Sequence, residues 1–536
     1  MKRTRGLAAT AALATLSAPL GLITVGAGAA QAASRTYFVS PSGNDGNPGT
    51  STGSPFRTIQ KAADTAGPGD TVSIMNGTYT ERSKGSDVVS ITRSGRPGAP
   101  ITFTAAPGHH PVVHAVRAWN AIAINGASYI TVRGLEIKGN NKALTLAAAE
   151  RGANKTDPTF NTNCLSVERN RSTGALSHDI VVSGNEVHDC AGGGIATMNA
   201  DHLTITDNHV YSTSWYTVYG TSGISVLTPR DTSAGDAKTY KIRITGNRVH
   251  DNETRIRWEK CGCYSDGNGI IIDTLKGDAG HPAYRGRVLV ANNVSYDNGG
   301  SGIHSYKSQH VDIVHNTAYM NGRSTRMDSY ANIFAHDSTD VRLLDNISYG
   351  RPGQATNSKA RNVDVTYDHN VYYGGKAPEI KGAHDLVADP KFIAPGTGQN
   401  ADFRLRKGSP AIGSGTPFAA VTTDITGARR TTGAPDLGAY GYGAEGRTQS
   451  TGDNSGESAS PTSGSEAEKP GEPRTDGAPG SQTAAGSGEG SGVKADGGRG
   501  PLAETGGSDP VLPLGLAAAG LAVGGGLLFA LRRKRS

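Results

Sequence analysis

The sequence predicts an all-β fold of the solenoid type, in which short strands stack coil upon coil. The first observation is an asparagine that returns at similar intervals, at Asn185, Asn208, Asn247, Asn293, Asn316, Asn346 and Asn370. The second is a set of short runs rich in Val, Ile and Thr, which lead into these asparagines with alternating apolar and polar residues. The third is glycine, with 74 of 536 residues, which suits many tight turns. Repeats of this period bury their apolar faces only by stacking on their neighbours.

The recurring asparagines are interpreted as structural residues. Each follows a strand and precedes a turn, where a side-chain amide can hydrogen-bond to the equivalent amide of the next coil. We therefore expect a ladder of amides along one corner of the solenoid, and we look for catalytic residues elsewhere. The neighbouring His188, His250 and His315 are expected to be structural as well.

Charge gives little support to nucleic-acid binding. The formal net charge is only +6, and much of the excess lies at the two ends of the chain, in Lys2, Arg3 and Arg5 and in residues 532–535. A nucleic-acid-binding domain is expected to carry a concentrated basic face instead. The sequence therefore predicts no nucleic-acid partner.

The N-terminal residues 1–32 are typical of a secretory signal peptide. A basic start precedes an alanine-rich apolar stretch, and Ala30-Gln31-Ala32 offers small residues for cleavage. We expect the protein to be exported, with a β-solenoid domain over residues 33–447.

The C-terminal part has the layout of a surface anchor. Residues 448–501 are rich in Gly, Ser, Glu and Pro, and their composition predicts a disordered spacer because it cannot form a core. Residues 511–531 are apolar and long enough to span a bilayer as a helix, and basic residues 532–535 follow. On this evidence alone, a retained membrane anchor is one possibility.

A pentapeptide ahead of the apolar segment resembles the sorting signal of Gram-positive cell-wall proteins. It consists of Leu502, Ala503, Glu504, Thr505 and Gly506, and alanine at its second position is typical of the actinobacterial form. The resemblance implies that a sortase attacks the carbonyl of Thr505 and that peptidoglycan receives the protein covalently. Membrane contact would then be transient, before sorting, and the protein would be secreted and attached to the cell wall.

The chain also resembles right-handed parallel β-helix proteins of the pectate-lyase-like superfamily. The entry segment from Tyr37 to Asp45, Pro55-Phe56-Arg57-Thr58-Ile59, the asparagine repeats and the closing Asp436-Leu437-Gly438-Ala439-Tyr440 carry this resemblance. It implies a single-stranded right-handed parallel β-helix with a short N-terminal capping helix over residues 58–66. Enzymes and non-enzymes share this fold, so the resemblance leaves the chemistry open.

The four cysteines lie in the exported part, where disulfides are permitted. Cys164 and Cys190 are one repeat apart, and Cys261 and Cys263 could bond to each other. Four cysteines allow three pairings, and the spacing does not select one of them. Metal binding is the less favoured alternative.

A second strand follows the asparagine turn in several coils, and its outward positions predict a functional surface. Strand period two gives two outward ladders, which read Ser166, Ala196, Ser225, Ile271, His304 and Glu168, Met198, Leu227, Asp273, Tyr306. Insertions at residues 140–163 and 253–266 precede this strand, and insertions at 228–240 and 274–287 follow it. Long insertions in a solenoid gather on the binding face, so we expect a cleft around Asp273, His304, Tyr306 and Lys307.

Exported β-helices of this type mostly act on polysaccharides, so the resemblance implies a lyase of uronic-acid polymers. Lyases of this kind need a base and a positive group that neutralises the substrate carboxylate. The segment Lys307-Ser308-Gln309 resembles the lysine segment of chondroitinase-B-like and alginate lyases. Lys307 is the first candidate for the base and His304 the second. Candidate substrate-binding residues are Arg285, Arg287 and Tyr306, and candidate ligands for Ca²⁺ are Glu253, Asp266 and Asp273.

Two other functions stay open. A glycoside hydrolase needs two carboxyl groups flanking the scissile bond, and Asp266 and Asp273 could supply them. A non-catalytic adhesin or glycan-binding protein could use the same cleft. This alternative is favoured by departures from the lyase pattern, such as Ala335-His336 where those lyases place an arginine.

Overall fold

The computed structural model describes residues 33–327 and 331–443, and these form a right-handed parallel β-helix, as the sequence predicts. The coils in the middle of the helix each contribute one strand to each of three parallel sheets, in the order first, second and third sheet. The first and second sheets have 11 strands each in the described residues, and the third has 8. The asparagine turn connects the first sheet to the second. In four coils a connection of two residues, as between Met198 and Asp201, leads from the third sheet to the first sheet of the next coil, and in the other coils this connection is longer.

The three sheets differ in strand length. The first sheet holds Thr36–Val39, Thr71–Ile74, Ile101–Ala105, Ser128–Arg133, His178–Ser183, Asp201–Thr206, Tyr240–Thr245, Arg287–Ala291, Gln309–Val314, Thr339–Leu344 and Val363–Asp368. The second sheet holds Thr78–Thr80, Val112–His114, Glu136–Lys138, Glu186–His188, His209–Tyr211, Arg248–His250, Val294–Tyr296, Thr317–Tyr319, Ile347–Tyr349, Val371–Tyr373 and Leu386–Val387. The third sheet holds Val89–Ile91, Asn120–Asn125, Asn163–Glu168, Ile195–Met198, Ile224–Leu227, Ile270–Asp273, Ile303–Tyr306 and Ile333–His336.

A short helix, Ile59–Thr65, closes the N-terminal end of the coil stack, which confirms the predicted capping helix. The side chain of its N-cap Thr58 accepts a hydrogen bond from the backbone N–H of Lys61. This bond satisfies one of the donors that a helix leaves free at its start. Ile59, Ala62 and Ala63 face the interior, so the helix shields the apolar end of the stack from water.

The recurring asparagines form the predicted ladder, and every rung is buried. The side-chain oxygen of each asparagine from Asn208 to Asn370 accepts the backbone N–H and a side-chain N–H of the preceding rung, at 2.9–3.1 Å. The last acceptor is Asp385, whose carboxylate takes both donors of Asn370. These contacts explain why asparagine recurs, because one side chain must both donate and accept in a dry corner.

Aliphatic residues of all three sheets fill the interior of the helix as one continuous core. Aromatic and imidazole rings on successive strands of the second sheet form a stack. His188, Tyr211, His250 and Tyr296 follow one another in it, at centroid distances of 4.8, 5.2 and 4.5 Å. The C-terminal segment covers the end of this stack with Phe403, from the antiparallel pair Phe392–Ala394 and Asp402–Leu405.

Of the three pairings that the sequence left open, the structure shows the disulfides Cys164–Cys190 and Cys261–Cys263. The first bond joins the third-sheet strand Asn163–Glu168 to the turn between the strands Glu186–His188 and Ile195–Met198 of the next coil. The second lies within the insertion at residues 253–266. The insertion at 140–163 folds into helix Leu146–Gly152 and two 3₁₀ turns, Asn141–Ala143 and Pro158–Phe160.

Several predictions concern residues outside the described part of the chain. They are the signal peptide at 1–32, the spacer at 448–501 and the sorting signal at 502–506 with its apolar segment. Among residues 33–327 and 331–443, no helix has the length and apolar character needed to cross a membrane.

Candidate functional site

The outward face of the third sheet carries the candidate site, and its predicted register is confirmed. Ser166, Ala196, Ser225, Ile271 and His304 are successive partners across the parallel strands. Met198, Leu227, Asp273 and Tyr306 are aligned in the same way. Ile270 and Ile272 point into the core instead, as the strand period requires.

A pocket lies on this face, in the middle of the sheet. Its lining is formed by Glu168, Ala196, Thr197, Met198, Gly220, Thr221, Ser222, Ser225, Leu227, Asp266, Ile271 and Asp273. Most of the floor is apolar, and the carboxyl groups stand at its edges. Asp266 comes from the insertion at 253–266, and residues 220–222 come from the segment before the strand Ile224–Leu227. Among the lining residues, one insertion therefore contributes to one wall, whereas the sequence analysis expected insertions on both sides.

Asp273 ends the strand Ile270–Asp273 and lies almost wholly buried in the pocket. The hydroxyl of Thr274 donates to its Oδ1 at 2.7 Å, and Oδ2 is buried without a hydrogen-bond partner. Burial raises the pKa of this carboxyl well above its usual value. Asp273 is therefore suited to hold a proton at neutral pH, with its free oxygen available to carry it.

Asp266 lies seven residues earlier in the chain and contributes the second carboxyl group of the pocket. Its backbone has φ 68°, and Gly267 after it has φ 63°, so a tight left-handed turn aims the side chain. Ser265 donates a hydrogen bond to Oδ2 at 2.9 Å. Burial raises the pKa of Asp266 to about 6, and the negative charge of Asp266 contributes to the raised pKa of Asp273.

Gly220 allows the Asp266 carboxyl to occupy this place. A methyl group on Gly220 would overlap Oδ2 of Asp266. The sequence did not single out this glycine, because it lies in an irregular segment 46 residues before Asp266 and carries no repeat signal.

His304 is present on the predicted face but is engaged in structural contacts. Its ring stacks on Phe334 at 4.7 Å, and its Nδ1 lies 2.6 Å from Oγ of Ser301. Because the Ser301 hydroxyl donates to Asn268, Nδ1 of His304 must donate to Ser301. Burial lowers the pKa of His304 to about 3, so the ring is neutral and a weak base at ordinary pH.

Lys307 follows Tyr306 at the edge of the same face. Its backbone adopts φ 45°, and its Nζ lies 5.3 Å from the centre of the Tyr306 ring. Tyr306 stacks on His336, whose Nε2 accepts a hydrogen bond from Arg361 at 2.9 Å. The structure thus brings Lys307 and Tyr306 to the site with Asp273, and it adds Arg361, which the sequence analysis missed.

The two predicted substrate-binding arginines do not join this site. Arg287 starts a first-sheet strand, and its five N–H groups are directed at the carboxylates of Asp312 and Asp340 and at a backbone carbonyl. It is buried and has no donor left for a substrate. The Arg285 side chain is 65% exposed and pairs with Asp231 at 3.4 Å.

Glu253 is likewise placed in a different environment from the one predicted. Its carboxylate pairs with Arg255 at 3.1 Å and with Arg323 at 3.2 Å, and Arg326 lies 3.8 Å away. These cations neutralise the charge that a calcium ligand would offer. Because Ca²⁺ takes six to eight oxygen ligands, Asp266 and Asp273 alone do not make the predicted calcium site.

The structure also shows a second asparagine ladder that the sequence analysis missed. Asn252, Asn298, Asn321 and Asn332 connect through side-chain amides at 2.7–2.8 Å, at the turn between the second and third sheets. A spacing signal was present, because Asn252, Asn298 and Asn321 each follow a first-ladder asparagine by five residues. This ladder fixes the turns that lead into the third-sheet strands.

Comparison with known families gives a match over the first part of the chain. Residues 37–208 match a family described as the Pel9A-like right-handed β-helix region. Among curated proteins, pectate lyase L of Paenibacillus polymyxa is 26% identical over 405 residues, covering 71% of this chain and 83% of the relative. The uncharacterized protein YwoF of Bacillus subtilis is 36% identical over 107 residues, and this match spans about a fifth of that relative's length, 21%.

Solved structures include several β-helices. Pectate lyase Pel9A aligns with a TM-score of 0.45 at 16% identity, covering 76% of this chain and 96% of that structure. A lacto-N-biosidase from Eubacterium ramulus aligns with a TM-score of 0.38 at 16% identity, covering 66% of this chain and 68% of that structure. The family match agrees with the topology of the three sheets. Over residues 37–208, this chain is therefore similar to the Pel9A-like right-handed β-helix family, as its sequence led us to expect.

Proposed function

We propose that this protein is a carbohydrate-active enzyme that cleaves glycosidic bonds in the third-sheet pocket, with Asp266 and Asp273 as the reacting carboxyl groups. One observation carries the proposal: two buried carboxyl groups with raised pKa values line one pocket on the outward face of the third sheet. Clefts with perturbed carboxyl groups are typical of enzyme active sites. The similarity to pectate lyase L supports a carbohydrate substrate.

The two carboxyls divide into an acid and a base by their environments. Asp273 has the more strongly raised pKa, so it would hold the proton and pass it to the glycosidic oxygen. Asp266, with a pKa of about 6, is ionised above that pH and would serve as the nucleophile or as the base that activates water. The hydroxyl of Ser265 would stabilise the ionised form by donating to Oδ2.

The surroundings support a sugar ring on an apolar floor with polar edges. Met198, Leu227 and Ile271 provide apolar contact area and exclude water from the carboxyls. Lys307 and Arg361 lie at the end of the site beyond Tyr306, where they would attract an acidic sugar unit. This placement favours an acidic polysaccharide, and it gives Lys307 a binding role in the hydrolytic scheme.

The test is an assay of the purified protein on acidic and neutral polysaccharides, with two readouts. New reducing ends report cleavage, and ultraviolet absorbance reports the unsaturated sugars that only β-elimination makes. Asp273→Asn and Asp266→Asn should each lower the rate of reducing-end formation by at least about 100-fold, the lower range for general acid–base catalysis. Asp278→Asn is the matched control, because Asp278 lies five residues on and pairs with His281 outside the pocket. Full activity of either pocket variant would exclude the proposed chemistry.

The second candidate is β-elimination with Lys307 as the base, and the similarity to pectate lyase L favours it. Lys307 is near enough to Asp273 for its positive charge to lower the pKa of that carboxyl group, against the larger effect of burial. In that case cleavage produces unsaturated sugars, and Lys307→Ala removes them. Cleavage without unsaturated products would favour hydrolysis, and absence of cleavage on every substrate would favour a glycan-binding or adhesin protein.

We also propose that the protein is exported and attached to the cell wall through Thr505, on the strength of residues 502–506 and the segment after them. Sortase and peptidoglycan would be the partners in this step. Fractionation of producing cells tests it. The unaltered protein should be released only by digestion of the wall, and Thr505→Ala should move it to the membrane or the medium. Equal wall attachment of both would contradict the proposal.

A further inference from the structure

The geometry points to a transition-metal site at the C-terminal end of the β-helix, formed by Asp368, His369 and His384, which would bind Zn²⁺. This site lies at the asparagine corner, away from the third-sheet pocket, and it does not depend on the proposed function. Each residue offers one ligand atom, and the three atoms lie within 4.8 Å of one another.

Two imidazoles share one carboxylate here. Asp368 accepts the backbone N–H of His384 at 2.8 Å, and its Oδ2 lies 2.9 Å from Nδ1 of the same histidine. Nδ1 of His369 is 3.3 Å from that oxygen but is a buried atom without a hydrogen-bond partner. The two rings stack at 4.4 Å with an angle of 22° between their planes. Buried polar atoms rarely lack a partner, and a bound cation would provide one.

The backbone holds the cluster in place from two sides. Asp368 ends the first-sheet strand Val363–Asp368, and His369 follows in the left-handed region at φ 55°. The other histidine comes from the loop that leads to Asp385, the last acceptor of the asparagine ladder. A metal ion would therefore tie the last full turn to the loop that terminates the ladder.

The ligand chemistry selects the kind of metal. Imidazole nitrogen suits Zn²⁺ and neighbouring divalent transition metals, whereas Ca²⁺ and Mg²⁺ prefer an all-oxygen set. Zinc–ligand distances of about 2.0–2.2 Å require the ligand atoms to lie within about 4.4 Å. A small rotation of the His384 side chain, which is 63% exposed, would bring the atoms that close.

The cluster is open to solvent on one side. The side chains of Asp368 and His369 are partly exposed, and that of His384 is largely exposed. A divalent ion therefore has a route from solvent to the three ligand atoms.

Calorimetric titration of the full chain, prepared without a histidine tag, with zinc chloride tests the site. We expect one saturable site, and His384→Gln should weaken it by at least about tenfold, a loss found even for outer-shell partners of metal sites. His281→Gln is the matched control, because His281 pairs with Asp278 at 2.8 Å without a second imidazole. It should leave the affinity unchanged.

Two further measurements separate a built site from surface binding. Co²⁺ should give the visible bands of a low-coordinate N/O site with the unaltered chain but not with His369→Gln. Zinc should raise the thermal midpoint of the unaltered chain, because a ligand of the folded state stabilises it, and should not do so for His384→Gln. Equal zinc affinity of His384→Gln and the unaltered chain, absence of saturable binding, or displacement of zinc by equimolar calcium would overturn the inference.

Discussion

Replacing Asn293 by alanine removes only one side-chain amide, but it should destabilise the β-helix strongly. Asn293 is a middle rung of the first ladder and is fully buried. Its oxygen accepts the backbone N–H and the side-chain N–H of Asn247 at 2.9 and 3.0 Å. Its own Nδ2 donates to Ile244 at 2.9 Å and to Asn316 at 3.0 Å. Alanine removes all four hydrogen bonds.

The magnitude follows from these contacts. A buried hydrogen bond contributes about 1 kcal/mol net, so four of them amount to about 4 kcal/mol. Alanine at residue 293 also leaves the N–H of Asn247 in a corner that water does not reach, and this unsatisfied donor adds to the cost. We therefore expect a loss of at least about 4 kcal/mol in the free energy of unfolding.

Urea unfolding followed by far-ultraviolet circular dichroism measures this loss, provided that both proteins unfold in one transition with equal slopes. Asn400→Ala is the control, since Asn400 is exposed on the C-terminal segment, and it should stay within about 0.5 kcal/mol. A loss below about 1 kcal/mol for Asn293→Ala would refute the reasoning, because it would mean that the amide ladder adds little to stacking.

Three further predictions concern the site and its surroundings. Asp266→Asn should raise stability above pH 6 and change it little near pH 4. The reason is that the folded state raises the pKa of Asp266 from 3.8 to about 6, so ionising this carboxyl costs stability. The cost grows as pH rises from 3.8 to about 6 and then stays at about 3 kcal/mol. Equal effects of the substitution at both pH values in thermal melts would contradict this prediction. Gly220→Ala should displace the Asp266 carboxyl and lower activity at least about tenfold, whereas Gly53→Ala, which adds a methyl in open space, should not. Arg287→Met should cost about 3–5 kcal/mol in urea unfolding, because it leaves the buried Asp312 without one of its partners; an altered KM without a loss of stability would show that Arg287 binds substrate after all.

The periodic part of the molecule could be predicted from the sequence. The asparagine ladder and the alignment of Ile271 with His304 follow from repeat spacing and strand period alone. Each of these features depends on contacts between equivalent positions in adjacent coils. A pattern that repeats along the chain therefore encodes a contact that repeats in space.

The site residues that the sequence analysis misplaced or missed depend on contacts between non-equivalent positions of the coils. Glu253 pairs with Arg323, 70 residues later, and Arg287 pairs with Asp340, 53 residues later. These ion pairs occupy the side chains of Glu253 and Arg287, and no repeat in the sequence reveals them. The position of Gly220 against Asp266 is equally irregular. Asp266 and Asp273 were named as a possible pair of carboxyl groups, and that role stays a prediction. Only the fold shows that both are buried and line the same pocket.

The end of the asparagine ladder at Asp385 gives the stack a direction. Between rungs, every asparagine from Asn185 onward donates to the next side chain on the C-terminal side, and the last acceptor is a carboxylate, which accepts without donating. The series can therefore be extended by inserting a whole coil between two asparagines, but not by adding one after Asp385. Rungs separated by 23 to 46 residues already share one geometry. The ladder can thus accept an additional coil in its middle, whereas Asp385 terminates it at its C-terminal end.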